Sequence, residues 1–422
     1  MEIIGIIVFA FGILISVCLH EAGHMGTAKA FGMKVTRFFA GFGPTLWSFK
    51  RGETEYGLKA VPLGGFVKIV GMTPQDDDVA PEDEKRAMWR YPVWKRTIVM
   101  GAGSATHFAL GIVILWVVFA FIALPNPDRL DSEPVTIDKV ADCVTPTDID
   151  LATKKTTECK QGTYPASLAS TMGLRSGDQV VSLNGQPVSG WGALTDQVRA
   201  SGGKEITITV RRGEETITHT GTLPTVLRLK QDVARSDRTV ESITSADQER
   251  VGVLGITPRV PEDVRGPVAA FGLSWDQTAL MFKGTFASIQ KFPEKVPKLW
   301  EALSGAERDP ETPISVVGAS RIGGELFEQG EIPTFLLILA GLNFFVGIFN
   351  LLPLLPLDGG HIAIAWFEKA RSWVYARLRK PDPGRVDYMK LMPVTYAVIL
   401  IFGGFTLLTI AADIVNPISL LK

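Results

Sequence analysis

The segment His20-Glu21-Ala22-Gly23-His24 closes an apolar run, residues 3–19, at the start of this chain of 422 residues. A run of this length predicts a helix, and a helix places side chains four residues apart on one face. His20 and His24 are therefore expected to share a face where two imidazoles can bind one zinc ion, with Glu21 beside them as a general base. Charged groups are unfavourable at mid-bilayer, by about 2.5–3.5 kcal/mol each, so their position here indicates a functional site.

Composition places the chain among membrane proteins of two or three domains. Apolar residues make up 46% of the chain, and its mean hydropathy is +0.19. The net charge is only -1 and the chain has no Lys/Arg-rich recognition segment, which argues against nucleic acid as a partner. Four segments are long enough to cross a lipid bilayer: residues 3–19 with their continuation, 98–124, 335–357 and 394–410.

Loop charge predicts the orientation of these helices. Segments 28–96 and 358–391 are rich in Lys and Arg and are therefore expected to be cytoplasmic, with both chain ends and the long segment 125–333 outside. The first helix starts at Met1-Glu2 rather than with basic residues, and no small-residue cleavage site precedes the histidine motif. We therefore expect it to be retained rather than removed as a signal peptide.

Two segments predict β-structure. Residues 38–72 alternate short apolar runs with turn residues, which predicts a hairpin or small sheet whose glycines allow close approach of a ligand; an ordinary cytoplasmic hairpin is the alternative. In the external segment, Gly173-Leu174-Arg175-Ser176-Gly177-Asp178 precedes short strands and one helix at the spacing of a module of about 90 residues. Residues 225–266 read as linker. From Phe271 an amphipathic helix follows, either packed on the module or lying on the membrane surface.

Cysteine usage fits this orientation. Cys143 and Cys159 both fall in the predicted external segment, where an oxidising compartment would allow a disulfide between them. Two free thiols are the alternative, because sequence does not fix their distance.

Zinc held by two histidines needs a third protein ligand and an open position. We favour Asp358, in Asn350-Leu351-Leu352-Pro353-Leu354-Leu355-Pro356-Leu357-Asp358-Gly359-Gly360, where two prolines interrupt the third membrane segment. Irregular backbone at membrane depth is tolerated only where it is buried in protein or lines a cavity. The first and third helices both run inward, so Asp358 and the histidine pair come to similar depth. A carboxylate at a helix end on the membrane surface is the alternative.

The paired motifs H-E-x-x-H and N-x-x-P-x-x-x-L-D-G-G, with G-x-G-P and P-L-G-G segments between them, resemble the site-2 protease family of intramembrane zinc metalloproteases. The resemblance covers nearly the whole chain, and the regulator of sigma-E protease group, in its actinobacterial form, is most similar. The external module resembles a bacterial PDZ domain. This resemblance implies that Zn2+ is held by His20, His24 and Asp358, and that Glu21 activates water.

The resemblance also implies substrate-binding positions. A strand that pairs with an unwound substrate maps to residues 58–68, with Pro62, Leu63, Gly64 and Gly65 as its core, and Asn350 corresponds to an asparagine that helps to hold the substrate. The chain departs from the G-P-x-x-N-F pattern of the second membrane helix. Ser104 replaces the proline and His107 the asparagine, which leaves open whether His107 serves the site or only packing.

The function implied by this resemblance is regulated intramembrane proteolysis. A single-pass membrane protein such as an anti-sigma factor, already trimmed outside by an upstream site-1 protease, would be cut within the lipid bilayer, and the PDZ-like module would exclude untrimmed substrates. Three alternatives remain at this stage. One is a catalytically silent membrane adaptor that binds peptides through the PDZ-like module, and another is a zinc-dependent structural protein. The third is a zinc transporter, which would show several ligand clusters where one is visible.

We therefore predict a multi-pass α-helical protein of the plasma membrane, with four transmembrane helices, a small membrane-associated β-sheet and an extracytoplasmic α+β PDZ-like domain. Its active site is expected to lie toward the cytoplasmic side. The predicted segments are transmembrane helix 1 (1–27), a cytoplasmic loop with the sheet (28–96), transmembrane helix 2 (97–124), the PDZ-like domain (125–225), a linker with an amphipathic helix (226–333), transmembrane helix 3 (334–358), a cytoplasmic loop (359–391), transmembrane helix 4 (392–412) and a tail (413–422).

Overall fold

A computed structural model describes residues 1–72, 79–157, 159, 162–234, 242–306, 308 and 312–418. Residues 73–78 of the predicted loop 28–96, three residues of the predicted PDZ-like domain (158, 160 and 161), parts of the predicted linker (235–241, 307 and 309–311), and residues 419–422 of the predicted tail lie outside this description. The chain divides into a helical unit, Met1–Ile122 with Arg265–Lys422, and a β-rich unit, Ala123–Val264.

The α-helices in the described ranges are α1 Glu2–Ala30, α2 Val93–Phe121, α3 Leu168–Thr171, α4 Trp191–Ala200, α5 Gln231–Ala234, α6 Gly266–Gln290, α7 Phe292–Leu303, α8 Val316–Glu328, α9 Ile332–Asn350, α10 Asp358–Arg377 and α11 Met392–Val415. The strands are β1 Val35–Arg51, β2 Thr54–Ile69, β3 Leu124–Pro125, β4 Ile137–Val140, β5 Ile149–Asp150, β6 Lys155–Thr156, β7 Gln179–Leu183, β8 Gln186–Pro187, β9 Glu205–Arg212, β10 Glu215–Thr222, β11 Thr225–Leu229, β12 Gln248–Gly252, β13 Ile256–Pro258 and β14 Glu262–Asp263.

Four of the described helices are long and apolar enough to cross a membrane, as predicted: α1, α2, α9 and the segment Tyr388–Val415 that contains α11. Glycines bring these helices close together, as is common where helices pack in lipid. On α1, a Cβ added at Gly23 would lie 2.7 Å from the carbonyl oxygen of Ala102 on α2. On α2, one added at Gly111 would lie 2.8 Å from the ring of Phe344 on α9. The backbones of α1 and α2 therefore meet at the level of the histidine motif.

The third membrane helix ends earlier than predicted. Helix α9 stops at Asn350, and Asp358 is the first residue of a separate helix, α10, in place of the loop predicted for 359–391. Pro353 and Pro356 lack the N–H groups that would continue α9. The turn then packs tightly against the start of α10, because a Cβ at Gly360 would lie 2.6 Å from the backbone of Leu354. This turn fixes the position of the Asp358 carboxylate.

Strands β1 and β2 form an antiparallel two-stranded sheet over the region predicted as a hairpin. Residues 37–40 of β1 pair with two parts of β2, residues 65–68 and residues 55–58, so β2 folds back and lies on both sides of this part of β1. Gly41 has φ +87°, and a Cβ there would lie 2.7 Å from the carbonyl oxygen of Val61. Strand β2 also packs against α1, so the sheet lies beside the histidine motif.

A helix forms where the amphipathic helix was predicted from Phe271, but its buried face differs from the predicted apolar face. Helix α6 belongs to the helical unit, and the small residues Ala270, Ser274 and Thr278 are its buried positions. Phe271 and Trp275 point outward, exposed by 68% and 64%, whereas Phe282 packs against the rings of Phe108 and Phe344. Because lipid is as apolar as a protein core, large side chains can face outward while small ones allow close helix packing.

The β-rich unit contains a four-stranded sheet in the order β10-β9-β7-β8. Its core joins strand residues such as Val180, Ile208 and Val210 to Leu194 of α4. The structure differs from the predicted linker after residue 225. The described parts of this segment, residues 225–234 and 242–264, contain strands β11 to β14, of which β13 pairs with β4 and β14 with β3, more than 100 residues earlier. Strands of two to five residues with such distant partners have too few residues to show a period.

Asp178 of the Gly-Asp motif stabilises the start of β7. Its side chain is almost fully buried, accepts hydrogen bonds from the Arg212 guanidinium at 2.7 and 2.8 Å, and also accepts one from the Arg175 backbone N–H. The hydrogen bond from Arg212 holds the pKa of the Asp178 carboxyl below its usual value.

We expect Asp178→Asn to weaken the β-rich unit near neutral pH and to remove part of its acid sensitivity. A carboxyl whose folded pKa is lowered stabilises the fold above its unfolded pKa of about 3.9, and this stabilisation is lost as pH falls through the folded pKa. Hydrogen exchange of β7 and β9 amides in the full-length protein from pH 6 to 3 measures the effect. Exposed Asp196→Asn is the control. Equal pH dependence in the parent and Asp178→Asn would contradict the prediction.

Candidate metal centre

Three potential metal ligands meet in the helical unit, although Asp358 is 334 residues from His24 in sequence. The Nε2 atoms of His20 and His24 lie 3.0 Å apart, and the Oδ2 atom of Asp358 lies 3.3 and 3.4 Å from them. Helix α1 supplies both histidines from one face, and the first residue of α10 supplies the carboxylate. The two imidazoles are buried, at 6% and 2% exposure.

This geometry fits a zinc ion. Zinc bonds of about 2.0–2.1 Å in a tetrahedron place ligand atoms about 3.3 Å apart, which matches the three separations here. The Oδ2 atom of Asp358 is buried without a hydrogen-bond partner among the described residues, an unfavourable state that a bound cation relieves. Two nitrogens and one oxygen form the ligand set of a catalytic zinc site, in which the fourth position stays open.

A hydrogen bond of the second ring nitrogen fixes the orientation of His24. Its Nδ1 lies 2.7 Å from the carbonyl oxygen of Val99, and because a carbonyl can only accept, Nδ1 carries the proton and Nε2 keeps its lone pair for a metal. A ligating histidine usually has such a partner on its second nitrogen.

Gly103 on α2 makes room for the cluster. A Cβ at this position would lie 2.5 Å from the Nε2 atoms of both His20 and His24. In sequence, Gly103 is the first residue of the segment that corresponds to G-P-x-x-N-F, a pattern that gives no sign of this contact.

Glu21 lies between the histidines in sequence and faces strand β2. It accepts a hydrogen bond from the backbone N–H of Val67, and the Cα of Gly65 is close enough that an added Cβ would lie 3.5 Å from the Glu21 Cγ. The carboxylate is therefore held between the potential metal ligands and strand β2.

The other predicted site residues lie on β2, at the end of α9 and in the β-rich unit. Pro62 and Gly64 lie on β2, where Gly64 has φ +118° and packs near the Phe42 ring; Leu63 lies on the same strand, but its side chain is outside the description. Asn350 is the last residue of α9, and its side chain makes no hydrogen bond with any residue that the structure describes. Cys143 and Cys159 form a disulfide in the β-rich unit, with Cα atoms 5.9 Å apart.

His107, which the sequence left undecided, lies beside the cluster. Its ring centroid is 5.0 Å from that of His20, and its Nδ1 lies 2.8 Å from the Oδ1 atom of Asn343 on α9. Both side chains are 2% exposed. Asn343 was missed because a single polar residue in an apolar helix carries no motif.

Two histidines and an aspartate that meet among membrane-length helices, with a glutamate beside them, define an intramembrane metalloprotease. The sequence profile of Peptidase family M50 matches residues 8–380, and the chain belongs to this family, the site-2 proteases. It is thus a multi-pass membrane protein and a zinc metalloprotease whose cofactor is Zn2+.

Named relatives agree with this assignment. The chain is 41% identical to the zinc metalloprotease Rip1 of Mycolicibacterium smegmatis over 99% of both chains, and 40% identical to Rip1 of Mycobacterium tuberculosis over 100% of both. It is 26% identical to the regulator of sigma-E protease RseP of Salmonella typhimurium, over 86% of this chain and 90% of that protein.

Proposed function

We propose that His20, His24 and Asp358 hold the zinc ion and that Glu21 is the general base of a protease that cuts single-pass membrane proteins within or near their membrane-spanning segment. The observation that carries this proposal is the cluster of three ligand atoms at 3.0–3.4 Å beside Glu21. When bound, zinc supplies a Lewis acid that polarises the scissile carbonyl and acidifies water. The Glu21 carboxylate takes the proton of that water and returns it to the leaving amine.

The sheet provides a place for an unwound substrate. The carbonyl groups of a membrane helix are hydrogen-bonded internally, so cleavage needs a locally extended strand. Strand β2 pairs with β1 on both edges at residues 55–58, whereas residues 65–67 pair with β1 on one edge only, so the edge for strand addition lies at residues 65–67. Glu21 is bound to the backbone of β2 at Val67, so a peptide paired with this part of the proposed substrate strand 58–68 would pass the base. We infer that Pro62, Leu63, Gly64 and Gly65 bind the substrate backbone, and that Asn350 assists from the end of α9.

Loop charge supports a cytoplasmic position for the metal centre and an extracytoplasmic one for the β-rich unit. We infer that the β-rich unit is a PDZ-like domain, because its strands and its helix α4 follow a Gly-Leu-x-x-Gly-Asp motif. In this proposal it excludes substrates that an upstream site-1 protease has not yet trimmed. Anti-sigma factors are the substrates that the resemblance to regulators of sigma-E protease favours, and cleavage would release their cytoplasmic part.

Zinc content and cleavage of a single-pass reporter, measured in the full-length protein, test the proposed metal site. Asp358→Ala is expected to lose the zinc ion and to lose cleavage, because it removes one of three ligands. Asp276→Ala, an exposed acid on α6, is the matched control and should keep both. Normal zinc binding and cleavage in Asp358→Ala would refute the proposed ligand set. Co-expression with candidate anti-sigma factors, intact or truncated outside the membrane, then tests the substrate class.

A further inference from the structure

The two histidines of the metal centre differ on their second nitrogen. His24 donates its Nδ1–H to the Val99 carbonyl. The Nδ1 atom of His20 is buried and has no hydrogen-bond partner in the described part of the chain, although the side chain is 8% exposed. When His20 binds a metal through Nε2, its proton must be on Nδ1, so a buried donor lacks an acceptor. An unpaired buried donor costs about 1–3 kcal/mol.

The nearby pair His107 and Asn343 presents a suitable acceptor. The Nδ2 atom of Asn343 donates to the Leu339 carbonyl at 2.8 Å, which fixes the amide so that its Oδ1 faces His107. That oxygen can only accept, so the Nδ1 of His107, at 2.8 Å, is the donor. In neutral His107 the proton is then on Nδ1, and Nε2 carries a lone pair.

The distance between the two rings suits a direct hydrogen bond. An N–H···N bond of about 2.9 Å between two imidazoles places the ring centroids about 5 Å apart. The centroids of His20 and His107 are 5.0 Å apart, with the ring planes inclined at 49°. Pairing the Nδ1 of His20 with the Nε2 of His107 requires the two rings to rotate from this inclination, at a centroid distance that already suits the bond.

We propose that His107 is a positioning residue that accepts the Nδ1–H of metal-bound His20, and that Asn343 sets the tautomer of His107 for this role. In this proposal, hydrogen bonds from Asn343 through His107 support His20, as the Val99 carbonyl supports His24. This inference rests on the proposed metal site, because it needs His20 to bind through Nε2. It gives a function to the histidine that stands where relatives of this group commonly have asparagine.

The expected consequence is a change in zinc affinity. Loss of a partner behind a metal-bound histidine typically weakens metal binding 10–100-fold. We expect His107→Leu and Asn343→Leu each to lower zinc affinity within this range. The first variant removes the acceptor, and the second no longer fixes the tautomer of His107. His107→Gln should restore most of it, because the amide can donate to Asn343 and accept from His20 at the same time.

Chelator competition on the full-length protein measures zinc affinity independently of proteolysis. Phe108→Leu is the control for packing, since Phe108 is the next residue on α2 and stacks on Phe344 without a polar group. Ser104→Ala removes one of the buried hydroxyls that lack a partner among the described residues, one turn before His107, and should keep parental zinc affinity. Parental zinc affinity in His107→Leu, or a loss in His107→Gln as large as in His107→Leu, would overturn the inference.

A His24→Ala arm separates this inference from the proposed metal site. If His24→Ala loses zinc while His107→Leu binds it normally, the metal site stands and only the role of His107 fails. If His24→Ala itself binds zinc with parental affinity, the proposed ligand set fails first.

Discussion

Glu21→Gln is expected to abolish peptide cleavage while the protein keeps its zinc ion. Glutamine has nearly the shape of glutamate, so the three ligand atoms of His20, His24 and Asp358 are undisturbed. The amide cannot take a proton from water, and loss of a general base typically slows a reaction by about 10²–10⁴-fold. Zinc content and single-turnover cleavage of a membrane-spanning reporter, measured on the same preparation, check both parts.

The matched control for this variant is Glu2→Gln, at the start of the same helix α1 and remote from the cluster in sequence. It should cleave at the parental rate. Parental cleavage in Glu21→Gln would eliminate Glu21 as the base. Loss of zinc from Glu21→Gln would instead show that the carboxylate supports the ligands directly, and the assignment of separate roles would then be wrong.

Gly103→Ala is expected to prevent zinc binding and therefore to abolish cleavage. Alanine is favoured over glycine inside a helix by about 1 kcal/mol, so helix propensity alone predicts a more stable protein. The new methyl group would lie 2.5 Å from the Nε2 atoms of both histidines, the atoms that have to face the metal. The rings or the helices have to move by several tenths of an ångström, which breaks the ligand geometry. We expect a loss of zinc affinity larger than the 10–100-fold that follows from removing a hydrogen-bond partner of a metal-binding residue.

The control for Gly103→Ala is on the same helix, two residues earlier. A Cβ at Gly101 meets nothing within 4 Å. Gly101→Ala should therefore bind zinc normally and unfold at the same temperature as the parent or a slightly higher one. Zinc titration and thermal unfolding of the two variants in parallel provide the comparison. If Gly103→Ala and Gly101→Ala bind zinc equally well, α2 does not approach the histidines as closely as the structure indicates.

Short-range features of the sequence were sufficient to predict the membrane helices and the shared face of the two histidines. Apolar runs of membrane length gave the four membrane helices, because a helix in lipid must satisfy its own backbone and leaves a continuous apolar signal. The spacing of four residues put His20 and His24 on one face of α1, since that spacing follows from the helical repeat alone. Asp358 was selected as the third candidate ligand from the chemistry of the missing ligand and from the two prolines before it, and the structure places it beside the two histidines.

Features that depend on distant contacts were not visible in the sequence. Strands β13 and β14 pair with segments more than 100 residues earlier, so their partners, not their own pattern, make them strands. The exposure of Phe271 and Trp275 on α6 reflects the surroundings of this helix rather than its apolar period. Gly103 matters because another helix brings two imidazoles against it, and His107 because Asn343 orients it from a third helix. The sequence by itself determined which groups can bind a metal. Only the tertiary structure decided how they are spaced and supported, because those distances are set by packing between helices that are far apart in the chain.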